Sequence, residues 1–410
     1  MLGSKSYLGL CLVCTYGTPV ADMLAHSPPL PLVIDYYYGH NITSADEEAI
    51  ILALAQRDRV CRIRLDLPVM KLQKLIVAID GEYPILEYLI LTVPPKERTT
   101  VLILPVTLQT SRLRHLTIDC SIPTPFQLLT TAVGLVTLCL RFHHPSTYFK
   151  PTVLLQPLSL MTQLEVLMIV FFFTVPNYDV ENQLMRTPIM TQFTLPNLRS
   201  FTFQAPHAYS EAVFSRITAP RLEHLQIGYF KQLTFSVPEF LQFMARTGNF
   251  RFNYGSFDFH SDRVYVQVNP PDINMPLAAF SVLVRCWHHN WQVSYMGQFF
   301  NALSQILSAV DHLTLMHQVR RSSEEHNDVD RTEWRNLLRL FSNVKTLRID
   351  NGLVGEFSRY LRVEDSDGEH SLELLPELQE LTCPGSSDDI FTSFIDARQK
   401  AGRPVTLIKS

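Results

Sequence analysis

Apolar residues at the first, fourth and sixth places of a short segment recur along this chain, with polar residues between them. The sharpest copy is Leu113-Arg114-His115-Leu116-Thr117-Ile118. The same spacing returns at Val60/Ile63/Leu65, Leu86/Leu89/Leu91, Leu135/Leu138/Leu140, Leu164/Leu167/Ile169, Leu198/Phe201/Phe203 and Leu222/Leu225/Ile227. It returns again at Val310/Leu313/Leu315, Val344/Leu347/Ile349 and Leu378/Leu381/Cys383. Successive starts lie 26, 27, 22, 29, 34 and 24 residues apart from 60 to 222, and 34 residues apart twice from 310 to 378. Two apolar residues at period two turn one face of a short strand inward, and the earlier leucine fills the turn leading into it. One such unit cannot bury its apolar face, but a stack of them can.

The spacing L-x-x-L-x-L at such a period is the mark of a leucine-rich repeat. The expected fold class is α/β: one elongated leucine-rich-repeat solenoid with a parallel inner sheet, outer helices and irregular repeats. Helical segments alternate with the strands. Ser44-Ala45-Asp46-Glu47 reads as a capping box, and the helix behind it carries Ile50, Ile51 and Leu54 on one face. Ser236…Glu239 opens another with Phe240, Leu241 and Met244 inward, and Asp330…Glu333 a third with Trp334, Leu337, Leu338 and Phe341. Phe299, Phe300, Leu303, Ile306 and Leu307 mark a longer helix; Ser387 to Lys400 forms the last, stopped by Gly402. Pro84, Pro196, Pro220 and Pro376 stand two residues before the first leucine of their repeats, where they should hold the chain extended.

Ahead of the repeats, Leu30 to Tyr38 reads as a strand. The apolar run Tyr7 to Cys14 has features of a secretory signal, with Lys5 before it and Val20-Ala21 after it. Its eight residues hold two cysteines and a glycine, however, so a first strand is the expectation. Residues 1–43 should cap the solenoid, 44–249 form repeats, 250–286 form a degenerate repeat with an inserted hairpin, and 287–410 form further repeats and a C-terminal cap. The hairpin reading rests on alternation over Ser256 to His260 and Val264 to Val268, with Ser261-Asp262 as the turn. Arg320 to Asp330 and Val363 to Ser371 are polar, lack apolar anchors and read as loops.

Composition narrows the function classes. With 46% apolar and 18% charged residues, the chain has ample material for a continuous core. A net charge of −4 without any basic block argues against a nucleic-acid partner. The longest apolar run, Leu164 to Val175, has about half the ~20 residues that a membrane span needs, so no membrane partner is expected. Seven cysteines, an odd number scattered mostly through strand-like runs, suit a reducing compartment and an intracellular location, cytoplasmic or nuclear. Cys11-Leu12-Val13-Cys14 has metal-knuckle spacing but no second pair at zinc-site distance. Adjacent histidines, as in His288-His289 and His143-His144, point to opposite faces of an extended chain and cannot share a metal. His115, His224 and His312 occupy equivalent strand positions several repeats apart, too far to converge on one ion. There is no nucleophile elbow, phosphate-binding glycine loop, zinc-protease helix or dinucleotide turn. No enzyme activity, cofactor or metal is expected.

What stands out is the other face of the strands. In L-x-x-L-x-L the residues between and just after the buried ones face the hollow of the arc. The first five repeats present there Arg62, Arg64 and Asp66; Tyr88 and Ile90; His115, Thr117 and Asp119; Thr137, Cys139 and Arg141; Val166, Met168 and Val170. This gradient from basic to apolar suits recognition of a protein. The candidate protein-binding residues are Arg62, Arg64, Tyr88, His115, Thr117, Asp119 and Arg141.

Several long phrases are shared with a known family. Leu12-Val13-Cys14-Thr15-Tyr16-Gly17-Thr18-Pro19-Val20, Pro31-Leu32-Val33-Ile34-Asp35-Tyr36 and Arg57-Asp58-Arg59-Val60 resemble the leucine-rich-repeat F-box proteins of mushroom-forming fungi. So do Leu129 to Leu138 and Phe394 to Val405. The resemblance implies a ribonuclease-inhibitor-like horseshoe that presents substrates to a cullin-based ubiquitin ligase. The expected function is therefore the substrate-recognition part of an F-box type receptor, with an unknown protein substrate as partner. The alternative is a stand-alone repeat scaffold, or a truncated F-box-less copy without a ligase role. No F-box precedes Leu12, so the ligase adaptor is expected as a partner only if that module lies upstream. The ladder asparagine three residues after the last leucine is also replaced, by Pro68, Pro94, Ser121 and Ser386, which implies irregular curvature.

Overall fold

The computed structural model describes residues 11–37, 42–105, 107–123, 126–173, 192–230, 237–248, 250, 252–269, 279–286, 289–307, 309–317, 331–361, 374–384 and 391–409. Residues 1–10, Ser236, Trp287-His288, the segments 320–330 and 363–371 expected as loops, and Ser386-Ser387 lie outside the described residues. The chain forms two compact units, Met1–Arg221 and Leu222–Ser410.

The first unit carries β1 (Leu12–Cys14), β2 (Leu32–Tyr36), β3 (Val60–Asp66), β4 (Tyr88–Thr92), β5 (His115–Asp119), β6 (Thr137–Phe142), β7 (Val166–Phe171), β8 (Phe193–Thr194), β9 (Ser200–Gln204) and β10 (Ile217–Thr218). From β1 to β7 each strand pairs in parallel with the next, and β7 pairs in parallel with β9. β8 and β10 make a separate small parallel pair. The repeat spacing sets the register: Ile63, Leu89, Leu116, Leu138, Leu167 and Phe201 stand opposite one another in succession. In all ten triplets of the chain, no residue is more than 2% exposed. At about 1.5–3 kcal/mol for each fully buried aliphatic or phenyl side chain, this repeated face dominates the driving force for folding.

The second unit carries β11 (His224–Phe230), β12 (Tyr254–Phe259), β13 (Arg263–Asn269), β14 (Phe280–Arg285), β15 (His312–His317), β16 (Thr346–Ile349), β17 (Glu380–Cys383) and β18 (Thr406–Lys409). β11 pairs in parallel with β14, which pairs antiparallel with β13, which pairs antiparallel with β12. β12 then pairs in parallel with β15, and β15 to β18 continue in parallel order. Both units are thus α/β, built on mostly parallel strands.

The helices bury one face against the apolar side of the strands, with several departures from the sequence pattern. Helix Ser44–Leu54 buries Asp46, Ala49, Ile50, Ala53 and Leu54, a helical stripe that leaves Ile51 46% exposed. Its capping box is formed by Thr43 and Asp46, one residue earlier than Ser44 and Glu47. The Asp46 amide donates to Thr43 Oγ1 at 3.1 Å, and the Thr43 amide donates to Asp46 Oδ2 at 2.9 Å. Glu47 instead forms ion pairs with Lys71 and Lys74. Thr43→Ala should therefore lower stability by about 1 kcal/mol in urea unfolding, whereas Ser44→Ala should change it by about 0.5 kcal/mol or less. An equal loss in the two variants would contradict this cap.

Helix Pro238–Thr247 has Val237 at its N-cap, which gives no side-chain hydrogen bond; Pro238 at its first position supplies the helical φ. It buries Phe240, Phe243 and Met244, with Leu241 half-buried. Trp334, Leu337, Leu338 and Phe341 are all buried, as are Phe299, Phe300, Leu303 and Leu307. The final helix, Thr392–Lys400, is followed by Gly402 at φ +72, the left-handed conformation that ends helices.

The prolines ahead of the repeats sit in tight turns rather than in extended chain. Leu86 donates to Tyr83 O, Leu198 to Leu195 O and Leu378 to Leu375 O, placing Pro84, Pro196 and Pro376 second in their turns; Pro220 is also a turn residue. The fixed proline φ suits that place. Among the described residues between β4 and β5 there is no α-helix, only the 3-10 turn Pro95–Glu97. Glu97 reaches back to accept the Val69 amide at 2.6 Å and so caps helix Val69–Ala78.

Candidate functional site

On the half-exposed face of the first unit, strand register lines up the candidate residues in rows. Arg62 stands opposite Tyr88 and Tyr88 opposite His115. Arg64, Ile90, Thr117 and Cys139 form a second row, and Asp66, Thr92, Asp119 and Arg141 a third. Because adjacent strands are about 4.8 Å apart, side chains along a row touch. The Arg62 guanidinium lies 5.4 Å from the centre of the Tyr88 ring. The Tyr88 and His115 rings are stacked, with centroids 4.3 Å apart and planes within 8°. A guanidinium, a phenol and an imidazole thus form one continuous stack across three strands. Beside it, Arg64 lies 5.7 Å from the Tyr37 ring, and its Nε is 3.9 Å from Asp35 Oδ1, longer than a hydrogen bond. Burial holds the His115 pKa below the ordinary histidine value, helped by the Arg114 and Arg62 charges and opposed by Glu87 and Glu165. The imidazole is neutral at pH 7 and offers one donor and one acceptor.

Asp119 differs from the other six candidates: it is buried. Its Oδ2 accepts from Arg141 Nη1 at 3.1 Å and pairs with Arg98 Nη2 at 3.2 Å, and its Oδ1 lies 2.7 Å from His143 Nε2. Burial opposes ionisation of the carboxyl. The His143 hydrogen bond, with Arg98 and Arg141 behind it, outweighs burial and holds the pKa below the usual carboxylate value. Position within the repeat places Asp119 on the open face, but the segment before β5 closes over it. Val101 bridges to Ser121, Leu102 donates to Ser121 O, and Ser121 Oγ donates to Arg98 O, which brings Arg98 to the carboxylate. Arg98 carries no mark in the repeat pattern. In the sequence His143 is marked only as one of two adjacent histidines. The structure stacks it on Phe172, 4.4 Å between centroids and 7° between planes, while His144 turns to Ser146. Arg141 also reaches Met168, with Nη2 3.5 Å from the sulfur.

Among the described residues no group of three or more His, Cys, Asp or Glu side chains is placed to hold a metal ion. Among the described residues no disulfide is formed, and burial pushes Cys14 and Cys61 up to about 11, far from a reactive thiolate. An open depression of about 610 Å³ is lined by Tyr16, Gly17, Thr43 and Asp46 among others. The Asp46 carboxylate is already held by the Gly17 amide at 3.0 Å and by Thr43. Among the described residues no helix is long and apolar enough to cross a membrane.

No family model matches the sequence, and no curated protein matches it. Among solved structures the chain is similar to one described as the crystal structure of a TLR13-ssRNA13 complex. Identity is 12% and the TM-score 0.35, over 96% of this chain and 48% of that one, so this chain spans about half the length of its match.

Proposed function

We propose that the half-exposed face of β3 to β6 is the protein-binding surface of a leucine-rich-repeat solenoid of the ribonuclease-inhibitor type. In this reading the chain is the substrate-recognition part of an F-box type ubiquitin-ligase receptor. The observation that carries the reading is the Arg62–Tyr88–His115 stack. Arginine and tyrosine are frequent interface anchors, and side chains already braced against one another lose little freedom when a partner docks. The in-register triplets support the repeat architecture, and the phrases around Leu12, Pro31, Arg57, Leu129 and Phe394 support the F-box family. The partner is an unknown protein substrate, with the ligase adaptor engaged only through an F-box. A stand-alone scaffold would use the same face without a ligase.

Proximity labelling with the intact chain, followed by mass spectrometry, tests the surface. For a partner so identified, Arg64→Ala with Tyr88→Ala should weaken binding at least about ten-fold, one or two hot spots' worth, and leave the melting temperature nearly unchanged. Unchanged binding would move the site elsewhere. In the ligase reading the partner should also accumulate when the gene is silenced; a constant level would leave the scaffold reading.

A further inference from the structure

The four arginines of this face are compensated unequally. Arg98 and Arg141 share the buried carboxylate of Asp119. Among the described residues, Arg62 and Arg64 have no hydrogen-bonded carboxylate. Arg64 has only a loose ion pair with Asp35, its Nε 3.9 Å from Oδ1 and beyond hydrogen-bond reach, and the Nε of Arg62 is shielded from solvent without a hydrogen-bond partner. Both guanidiniums lie over rings, Arg62 on Tyr88 and Arg64 on Tyr37. A guanidinium held over a ring by cation–π attraction still has N–H donors to offer an acceptor, and carboxylates match their fork. The two stand at alternate positions of one strand, so their backbone origins are about 6.6 Å apart. This spacing suits separate carboxylates on an extended peptide better than convergence on a single phosphate. A dianion placed here would also face Asp35 and Asp66.

We propose, resting on the binding face described above, that its β3–β5 end receives an acidic segment of the partner protein. Aspartate or glutamate side chains of that segment meet Arg62 and Arg64, and a neighbouring apolar side chain lies against the Tyr88–His115 stack. Acidic groups already nearby limit the number of carboxylates. Asp66 shares the strand with both arginines, and Glu87 and Glu165 act on His115 against Arg114 and Arg62. One or two carboxylates fit, and a long polyacidic tract does not.

The test is panning of a random peptide library displayed on phage against the full chain, followed by fluorescence anisotropy with the selected peptides. Peptides whose binding is lost on Tyr88→Ala should be enriched in aspartate or glutamate. Their affinity should fall at least ten-fold in the Arg62→Ala, Arg64→Ala variant and fall with added salt. Arg62→Glu with Arg64→Glu should select lysine and arginine peptides instead. Tyr88-dependent peptides without acidic enrichment, or with unchanged affinity for the double variant, would overturn the acidic assignment while keeping the face. So would a phosphoserine peptide that binds better than its glutamate counterpart. Selection of no Tyr88-dependent peptide would overturn the face itself.

Discussion

Asp119→Ala should lower the stability of the chain by about 3 kcal/mol, the lower end of the range for breaking a buried ion pair. The side chain of Asp119 is 5% exposed, and its removal would leave Arg98, Arg141 and His143 facing one another with no anion between them. Arg98 and Arg141 retain 29% and 40% exposure of their side chains, so water compensates part of the loss and the upper end is not reached. The same site gives a pH dependence. The carboxyl pKa is lower in the folded protein than in the unfolded chain, so its stabilisation is complete above the unfolded value, about 3.9. It is lost as pH falls through the lower folded value. His115, also lowered in the folded state, stabilises fully above its unfolded value near 6.5 and less as pH falls below that. Urea midpoints at pH 7, 5 and 3 should show a smaller acid loss for Asp119→Asn than for the parent between pH 5 and 3. An Asp119→Ala protein as stable as the parent at pH 7 would rule out the anchoring role.

In the second unit the largest expected loss comes from Trp334→Ala, at about 3–5 kcal/mol. The indole is fully buried. Its ring meets Phe357 edge-on at 4.7 Å and Phe259 at 5.5 Å, and its Nε1 donates to Glu356 Oε1 at 2.8 Å. Alanine would leave a void between two phenyl rings and remove a donor from a carboxylate that is only 5% exposed. Trp334→Phe restores most of the volume but not the N–H, and should cost about 1–3 kcal/mol. Guanidinium unfolding of both variants separates packing from hydrogen bonding. Equal losses would mean that the N–H carries the whole effect.

The contrast between the two arginine pairs shows how far sequence reading reaches. Ile63, Leu89, Leu116 and Leu138 announce their burial and register through spacing alone, because a period of two is a property of the strand itself. The same rule puts Arg62, Tyr88 and His115 in one row, although it says nothing of their stacking. It misplaces Asp119, because the burial of that carboxylate depends on Arg98 and His143, which arrive from outside β5. Thr43 and Ser44 are both good caps, with an acid three residues beyond each, so spacing alone does not choose between them. The structure chooses Thr43, whose extended backbone lets its side chain meet the Asp46 amide.

The three-strand meander of the second unit has a consequence for chain routing. Two reversals of direction cancel, so β14 still runs with β11, β12 still runs with β15, and the flanking repeats keep a common direction across the inserted material. The order of strands nevertheless places β12 three positions from β11, and β15 three positions from β14. Each of these crossovers must therefore advance about 14 Å across the sheet, where an ordinary repeat advances about 4.8 Å. The crossover from β14 to β15 holds helix His289–Ala302, at 14 residues the longest among the described residues. At 1.5 Å per residue it is about 21 Å long, enough to carry the chain over the meander in one rigid step.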